Sequence, residues 1–311
     1  MTEIARDAEL SALGLALGKA GHLSDSALRD AFLKLRGTNA DDQVESLLAI
    51  AGVIRPAVAG SLAATTNAIE RGLASGVQAI PISSDRYPAA LRGIVDAPPV
   101  IFIRGALEVL HRPPGIAIVG TRKATGHGLT IASRLATFFG NAGLTVVSGL
   151  AMGIDAAAHE GALLSASPTV AVLAHGLDKA TPRANSHLAD RILENGGAWI
   201  SEHPFGATPK AEYFVLRNRI QVGLSAASII VEGEERSGSS TQAEFCLRNR
   251  RLLLAVVPDS PSRVVTQSQL PMLLVNKRGA MAIRSRDDYE DSLAAVRRRI
   301  ADLSITMGVV A

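Results

Sequence analysis

Apolar and polar residues alternate with two different periodicities along the chain. Up to about residue 75, segments such as "DAELSALGLALGKAG" and "SDSALRDAFLKL" repeat apolar residues three and four positions apart, as one face of a helix does. From residue 115, short apolar runs such as "GIAIVG" and "LLLAVVP" alternate with helix-length segments. Strands that alternate with helices pair in parallel, because a parallel crossover needs a long connection. The pattern predicts an α/β fold: a Rossmann-like, doubly wound, mostly parallel sheet with helices on both faces, preceded by a small all-helical N-terminal domain.

The same pattern places the domain boundaries. Residues 1–80 are predicted to form the helical domain and residues 114–295 the Rossmann-like domain. Between them, the stretch "PISSDRYPAALRGIVDAPPVIFIRG" contains four prolines and no helical period. Proline removes a backbone donor and fixes one torsion, so residues 81–113 are predicted to be an extended connector that joins the sheet domain. The stretch "SRDDYEDSLAAVRRRIADL" has helix character, with acids early and arginines late, and residues 296–311 are expected to form a C-terminal tail.

Composition narrows the class of protein. The chain is 47% apolar and 20% charged, which is ordinary for a globular protein, and its formal net charge is only +3. This balance permits a nucleic-acid partner without requiring one. Cys246 is the one cysteine, so a disulfide within the chain and a cysteine-based zinc site are both excluded. The N-terminus lacks a signal-peptide pattern and no apolar run reaches the length of a membrane span, so we expect a cytoplasmic protein without a membrane partner.

The loop after the first parallel strand is the first candidate site. Ligands of open parallel sheets bind beyond the carboxyl ends of the strands, where helix N-termini offer unpaired amides to anions. "GTRKATGHG" combines a tight turn with hydroxyl, amide and positive groups, and its phosphate-binding candidates are Gly120, Thr121, Arg122 and Lys123. The alternative is a generic turn with solvated basic side chains. The loop lacks the G-x-G-x-x-G fingerprint, and no cofactor is predicted.

Later loops add further candidates. Gly149 suits close approach of a ligand, and Lys179 and Arg183 lie in a turn with Pro182. His175 and His187 have no metal-ligand spacing with a carboxylate pair, so no metal site is predicted.

The "RNR" element is a candidate for binding single-stranded nucleic acid. Arg217, Asn218 and Arg219 follow Phe214 by about one helical turn. Bases stack on aromatic rings while guanidinium groups pair with phosphates. In the alternative interpretation Phe214 belongs to the core and the arginines bind carboxylates such as Glu232.

The last candidate loop lies in "VEGEERSGSSTQAEF". A predicted strand ends and a helix begins at Arg236, Ser237, Gly238 and Ser239. We interpret the serine-glycine turn as a phosphate-binding site. Glu244 is expected about one turn into this helix. An acid beside a phosphate pocket repels the ligand, so we expect Glu244 either to pair with an arginine such as Arg217 or Arg219, or to perform chemistry.

These motifs, in this order, resemble the DNA-processing protein A (DprA, or Smf) family. The matching stretches cover roughly residues 81–295 and include "IAIVGTR", "VVSGLAMGIDAAAHEGAL", "SEHPFG", "RNRIQVGLS" and "VEGEERSGSSTQA". The resemblance implies a non-enzymatic bacterial protein of the cytoplasm that binds single-stranded DNA, forms homodimers and loads the RecA recombinase during natural transformation. It also implies that the N-terminal region is the small helical (SAM-like) domain of some members. On the family pattern, basic positions around the DNA pocket match Arg122, Arg183, Arg217 and Arg219.

The chain also departs from the family pattern, and the departures keep two other hypotheses open. The family has a basic residue at Met152 and an arginine at Glu244, and many members carry a C-terminal winged helix that we do not find here. "GSSTQAE" partly resembles the end of lysine-decarboxylase-like phosphoribohydrolases. A nucleotide-hydrolysing enzyme would use Glu244, with Arg219 or Arg236 holding phosphate. A nucleotide-sensing module would have kept the fold and lost strong DNA binding.

Overall fold

One nine-stranded sheet organises the part of the chain that the computed structural model describes, which is residues 2–39, 42–165, 167–258 and 266–306. The order across the sheet is β1-β2-β6-β5-β4-β3-β7-β8-β9. The strands are β1 (Val77–Pro81), β2 (Val100–Gly105), β3 (Gly115–Val119), β4 (Val146–Ser148), β5 (Thr169–Val172), β6 (Ala198–Ser201), β7 (Ser225–Ile230), β8 (Leu252–Val256) and β9 (Met281–Ile283).

The strands from β6 to β9 across the sheet pair in parallel, which confirms the predicted Rossmann-like fold. After β3 the chain adds β4, β5 and β6 on one side, and β7, β8 and β9 then extend the other side. The strand order therefore reverses between β3 and β7. Helices that follow adjacent strands diverge at such a point, and a crevice opens at the carboxyl end of the sheet.

Helices cover both faces of this parallel part. Ile116 and Ile118 of β3 pack in one apolar cluster, whereas Val119 packs in another, because successive strand residues point to opposite faces. The first cluster includes side chains from α6 (Gly126–Asn141), α7 (Ile154–Leu164) and α13 (Asp288–Thr306). The second includes side chains from α10 (Asn218–Gly223), α11 (Gly238–Arg248) and α12 (Gln269–Arg278). The helices of this half are α5 (Ala89–Arg92), α6 (Gly126–Asn141), α7 (Ile154–Leu164), α8 (Ser186–Glu194), α9 (Ala211–Leu216), α10 (Asn218–Gly223), α11 (Gly238–Arg248), α12 (Gln269–Arg278) and α13 (Asp288–Thr306).

Residues 81–113 differ from the predicted extended connector. β2 lies within the sheet, antiparallel to both β1 and β6. Three of the four prolines lie at the ends of these strands: Pro81 ends β1 at the sheet edge, and Pro98 and Pro99 precede β2. Pro88 instead precedes a short helix at Ala89–Arg92. The apolar run "VIFIRG" is thus free to make ladder hydrogen bonds. The predicted boundary at residue 80 consequently cuts through β1, and the sheet begins at Val77.

The N-terminal region is helical, as its periodicity predicted, but it shares a core with the sheet. Its helices are α1 (Glu3–Lys19), α2 (Asp25–Leu35), α3 (Gln43–Ala51) and α4 (Ala59–Ala74). Leu13 and Phe32 from this region belong to the same apolar cluster as Ile80 and Phe102 of the edge strands. Among the described residues, no single helix is both long enough and apolar enough to span a membrane. One pair of helices, Gln43–Ala51 and Arg55–Ala74, reaches that length and apolar character only when the two are taken together, and the pair is bent by 78°.

The helix predicted within "SRDDYEDSLAAVRRRIADL" is present, and it covers most of the predicted C-terminal tail. α13 runs from Asp288 to Thr306, with three acids in its first turn as the helix dipole favours. Val296 of this helix is fully buried against the sheet, so packing continues the helix past residue 295. Residues 307–311 lie outside the described residues.

A buried ion pair joins the helical region to the sheet. Asp7 of α1 is 5% exposed, and its Oδ2 accepts from Arg86 Nη1 at 2.9 Å and from Ser84 Oγ at 3.0 Å. Arg86 also donates to Gln78 of β1. Burial raises the pKa of Asp7 to about 6, although the hydrogen bond from Ser84 and the charge of Arg86 act to lower it. The carboxyl group therefore takes up a proton in a mildly acidic range.

We expect Asp7→Asn to flatten the dependence of stability on pH. The folded pKa lies above the ordinary value of 3.8, so the folded chain holds this proton more tightly than the unfolded chain. The resulting stabilisation is full below about pH 4 and is lost as the pH rises through about 6, a change of up to about 3 kcal/mol. Urea unfolding at a series of pH values measures this loss as a decline in wild-type stability relative to the variant. Asp190→Asn, at an exposed position on α8, is the matched control, and parallel curves for wild type and Asp7→Asn would contradict the prediction.

Candidate functional site

A cleft of about 760 Å³ opens at the carboxyl end of the sheet, where the strand order reverses between β3 and β7. Its walls come from four segments: the loop after β3, the loop after β4 that enters α7, the α9–α10 segment, and the loop after β7 that enters α11. Ten of the sequence-predicted site residues line it: Gly120, Thr121, Arg122, Lys123, Phe214, Arg217, Asn218, Ser237, Gly238 and Ser239.

 Ten of the fifteen predicted residues therefore meet at one site, and the other five lie outside the lining of this cleft.

The loop after β3 carries two of the exposed positive charges of the cleft. Thr121 N donates to the Glu232 carbonyl at 2.8 Å, which fixes this loop against the end of β7. Gly120 is required here, because a Cβ at this position would meet the same carbonyl and Ile154. Arg122 and Lys123 are exposed and face the cleft. The Arg122 guanidinium lies 5.2 Å from the centre of the Phe214 ring, so a cation and an aromatic face meet at the mouth.

Arg217 lies beneath the cleft as a buried structural cation. It is 6% exposed, and its Nη1 donates to the carbonyls of Gly149 at 2.5 Å and Val172 at 2.6 Å. Its Nη2 lies 3.5 Å from Asp155 Oδ2. Gly149, which does not line the cleft, leaves the space that the guanidinium fills, because a Cβ there would overlap Arg217. Arg217 therefore ties the ends of β4 and β5 to the start of α7.

Asp155 completes this arrangement from α7. Its carboxylate accepts from Gly149 N at 3.1 Å and is also hydrogen-bonded by the backbone of Ala151 and Gly120. Burial raises the pKa of Asp155, and the charge of Arg217 together with these backbone donors opposes the rise. The ion pair thus holds three loops of the cleft in one position.

Arg219 lies on the other side of its helix from Arg217 and outside the cleft. Its guanidinium binds Glu202 through two bonds of 2.6 and 2.5 Å and donates to the Asp96 carbonyl at 2.8 Å. Residues two positions apart in a helix point about 200° apart, which separates the two arginines. The arginines do bind carboxylates, as the alternative interpretation held, but their partners are Asp155 and Glu202. Glu232 instead accepts from Thr125 Oγ1 at 2.6 Å and from Thr125 N at 2.9 Å.

The serine-glycine turn forms the N-terminus of α11 at the cleft. Ser240 Oγ accepts from Ser237 N at 3.4 Å, and Asn218 Nδ2 donates to the Gly238 carbonyl at 3.1 Å. Asn218 thereby joins the "RNR" element to the turn. Arg236 precedes this turn, but it is exposed and does not line the cleft.

Lys179 and Arg183 lie in the loop between β5 and α8, outside the lining of the cleft. Both side chains are exposed, and Arg183 begins a short 3-10 turn after a cis peptide bond between Thr181 and Pro182. Asn185 of this turn donates to the Leu150 carbonyl at 2.8 Å, which connects the loop to the segment after β4. The two cations therefore lie in a loop that contacts the segment after β4, but they have no place in the wall of the cleft.

Glu244 does not pair with Arg217 or Arg219, which corrects the expectation from the sequence. Both arginines are bound to other carboxylates, and Glu244 is exposed on α11. The helix begins at Gly238, so Glu244 lies nearly two turns from its N-terminus. Gln242 faces the cleft, and Glu244 is rotated about 200° away from it. The carboxylate is outside the lining of the cleft.

Several residues of the cleft were missed in the sequence. Lys210 and Glu234 add one charge of each sign to the wall, and Gln221 and Gln242 lie at its base. Gln221 lies between the apolar residues Ile220 and Val222 of "RIQVGLS", a pattern that predicts a buried core segment. Nothing in the local sequence indicates that the Gln221 side chain belongs to a binding site. Among the described residues, no group of three or more His, Cys, Asp or Glu side chains could hold a metal ion.

We expect Arg217→Met to destabilise the protein by about 3–5 kcal/mol, because it leaves the Asp155 charge buried without its partner. The double variant Arg217→Met with Asp155→Asn is expected to recover part of this loss, since it removes the unpaired charge. Denaturant unfolding measures both effects. Arg183→Met, which removes an exposed arginine, should change stability by less than about 0.5 kcal/mol. A double variant no more stable than Arg217→Met would contradict the assigned role of the pair.

The chain is similar to known proteins over most of its length. The family model described as DNA recombination-mediator protein A matches residues 78–294. The DNA processing protein DprA of Bacillus subtilis (strain 168) is 36% identical over 218 residues, which are 70% of this chain and 72% of that protein. Protein Smf of Escherichia coli (strain K12) is 38% identical over 215 residues, which are 69% of this chain and 56% of that protein. The matched stretch is thus little more than half of the E. coli protein.

Two solved structures have the same architecture. DNA processing protein A from Streptococcus pneumoniae superposes with a TM-score of 0.69 at 30% sequence identity, covering 88% of this chain and 94% of that one. DNA processing protein A from Helicobacter pylori, described as having a unique single-stranded DNA binding mode, gives a TM-score of 0.60 at 27% identity and covers 67% of this chain and 93% of that one. The first match extends beyond the sheet, since it covers more of the chain than residues 78–294.

Proposed function

The chain belongs to the DNA recombination-mediator protein A family, and from this premise we propose that its cleft binds single-stranded DNA. The observation that carries the proposal is the grouping of Arg122, Lys123 and Lys210 with Phe214 around one cleft. Exposed cations pair with phosphates and an aromatic ring stacks on bases, a combination that binds single strands without strong sequence preference. The helix N-terminus at Ser237 to Ser239 adds backbone donors for a phosphate.

Buried and exposed arginines have different parts in this proposal. Arg122 and Lys123 are exposed and neutralise phosphates directly, so they contribute affinity through counterion release. Arg217 and Arg219 act as positioning residues, because carboxylates and carbonyls already occupy their guanidinium groups. Gly149 serves the same purpose by making room for Arg217. Lys179, Arg183 and Arg236 remain predicted contacts for parts of a strand that leave the cleft.

The biological role that we propose follows from the family. The protein acts in DNA processing and recombination in the cytoplasm, as a homodimer that delivers single strands to the RecA recombinase, and natural transformation is the proposed setting. The helical region at residues 1–80 is proposed to be a SAM-like domain. These partners rest on the family resemblance and on the family description as a recombination mediator.

A nucleotide-hydrolysing function is not favoured. Such an enzyme would need Glu244 beside the bound nucleotide, and this carboxylate lies on the exposed side of α11, outside the cleft. The nucleotide-sensing alternative keeps one specific observation in its favour, since Met152 is exposed where the family pattern has a basic residue. Loss of one cation weakens phosphate binding without removing the cleft.

We expect a fluorescent oligonucleotide to bind the full chain with strong salt dependence at neutral pH. Arg122→Ala and Lys123→Ala should each weaken binding several-fold and lower the slope of log affinity against log salt by about 1, because each removes one phosphate contact. Fluorescence anisotropy across a salt series gives both quantities.

Lys34→Ala is the matched control for this experiment. Lys34 lies on α2 in the helical region, far along the chain from the cleft, and its loss should leave both affinity and slope unchanged. Absence of oligonucleotide binding at low salt would rule out the proposal. Calorimetry that detected a mononucleotide but no oligonucleotide would favour the nucleotide-sensing function instead.

A further inference from the structure

The base of the cleft contains two glutamines with unsatisfied amide atoms. Gln221 of α10 is 1% exposed, and within the described part of the chain neither its Oε1 nor its Nε2 has a hydrogen-bond partner. Gln242 of α11 is also 1% exposed; its Nε2 donates to Ser228 Oγ at 3.0 Å, whereas its Oε1 has no partner among the described residues. Both side chains line the cleft. Three buried amide atoms on residues that line the cleft therefore lack a partner among the described residues.

Buried polar atoms without hydrogen-bond partners lower the stability of the folded protein. A buried amide that loses water without gaining a partner destabilises the protein, and an apolar side chain of the same shape would remove that cost. Gln221 stands among apolar neighbours in sequence, with Ile220 and Val222 both fully buried. An amide in this position serves stability poorly, so its benefit must come from what the cleft binds.

The available atoms match a nucleobase better than a phosphate. Phosphate oxygens are acceptors, and the two free Oε1 atoms would repel them. The Watson–Crick edge of a base offers donors and acceptors together, as the amides do. The exposed cations Arg122 and Lys123 occupy the mouth, and the amides occupy the base. A nucleotide would then place its phosphate outward and its base inward, with the Phe214 ring beside it.

The balance of donors and acceptors further selects among bases. Gln221 and Gln242 together offer two acceptor oxygens and one donor group. Thymine brings one N–H donor and two carbonyl acceptors, which leaves one amide oxygen unsatisfied. Cytosine brings an amino group with two N–H bonds beside a ring-nitrogen acceptor, which complements the amides more completely.

We propose that the base of the cleft is a nucleobase subsite, in which Gln221 and Gln242 select bases with an exocyclic amino group over thymine. The inference rests on the proposed binding of single-stranded DNA and specifies which base that site takes. Its physical basis is the pair of buried glutamines, one of them without any hydrogen-bond partner in the described residues. One base of a bound strand would be held in the cleft while its neighbours stay sequence-tolerant.

The test compares oligo-dC with oligo-dT of equal length, by anisotropy at a mildly alkaline pH where cytosine is unprotonated. The wild type is expected to bind oligo-dC about tenfold more tightly, the size of discrimination that one well-made pair of hydrogen bonds gives. Gln221→Leu should reduce this preference to about twofold or less, because oligo-dC loses more hydrogen bonds than oligo-dT does. Equal wild-type affinities for the two oligonucleotides, or an equal loss of both in Gln221→Leu, would overturn the subsite.

Stability and mononucleotide binding separate the remaining outcomes. Gln221→Leu is expected to keep or raise the thermal midpoint, because it removes unsatisfied amide atoms, and a marked fall would indicate a structural role. Gln43→Leu, on α3 in the helical region, is the matched substitution and should keep the preference for oligo-dC. If neither oligonucleotide binds, the proposed function fails, and calorimetry with dCMP and dTMP decides the subsite alone: tighter binding of dCMP retains it, and equal or absent binding rejects it.

Discussion

The buried pair of Arg217 and Asp155 is the interaction on which the cleft depends. Two loops after parallel strands, the start of α7 and the junction of α9 with α10 all meet at this pair. A buried charge is tolerated only when it is paired and hydrogen-bonded, so each partner requires the other and both require the surrounding carbonyls and amides. The loops cannot move independently without breaking these bonds, and the cleft is consequently rigid at its base.

Buried and exposed cations have different roles at the site. Cations that carry structure are buried and already paired, as Arg217 and Arg219 are, whereas Arg122, Lys123 and Lys210 are exposed at the mouth. An exposed cation gives up little hydration when it meets a phosphate, and the pairing depends on salt. Below the mouth the wall changes to amide groups, which suit the mixed donors and acceptors of a base. This order, from charge to amide, matches the order of groups from the backbone of a nucleic acid to its bases.

The helical region and the antiparallel edge behave as one body with the Rossmann-like sheet in their packing. Leu13 and Phe32 share a core cluster with Phe102, and Asp7 is joined to Arg86 across the boundary. Apolar residues alone specify neither orientation nor register, and a buried ion pair between the parts restricts both. The helical N-terminal region therefore packs against the edge of the sheet and is not joined to it by a linker alone.

Periodicity in the sequence determined the fold class, the helical N-terminal region and the loops that follow the parallel strands, because these depend on local spacing and on the general geometry of parallel sheets. It failed at residues 81–113, where prolines at the strand ends concealed β2. Only the tertiary structure decided which arginines are free. Arg217 and Arg219 look alike in "RNR", yet their partners Asp155 and Glu202 come from distant segments, and the direction of each side chain around a helix separates them. The tertiary structure also decided the positions of Gln221 and Glu244. Gln221 is buried and lines the cleft, whereas Glu244 lies on the exposed face of α11, and no local sequence pattern distinguishes these two outcomes.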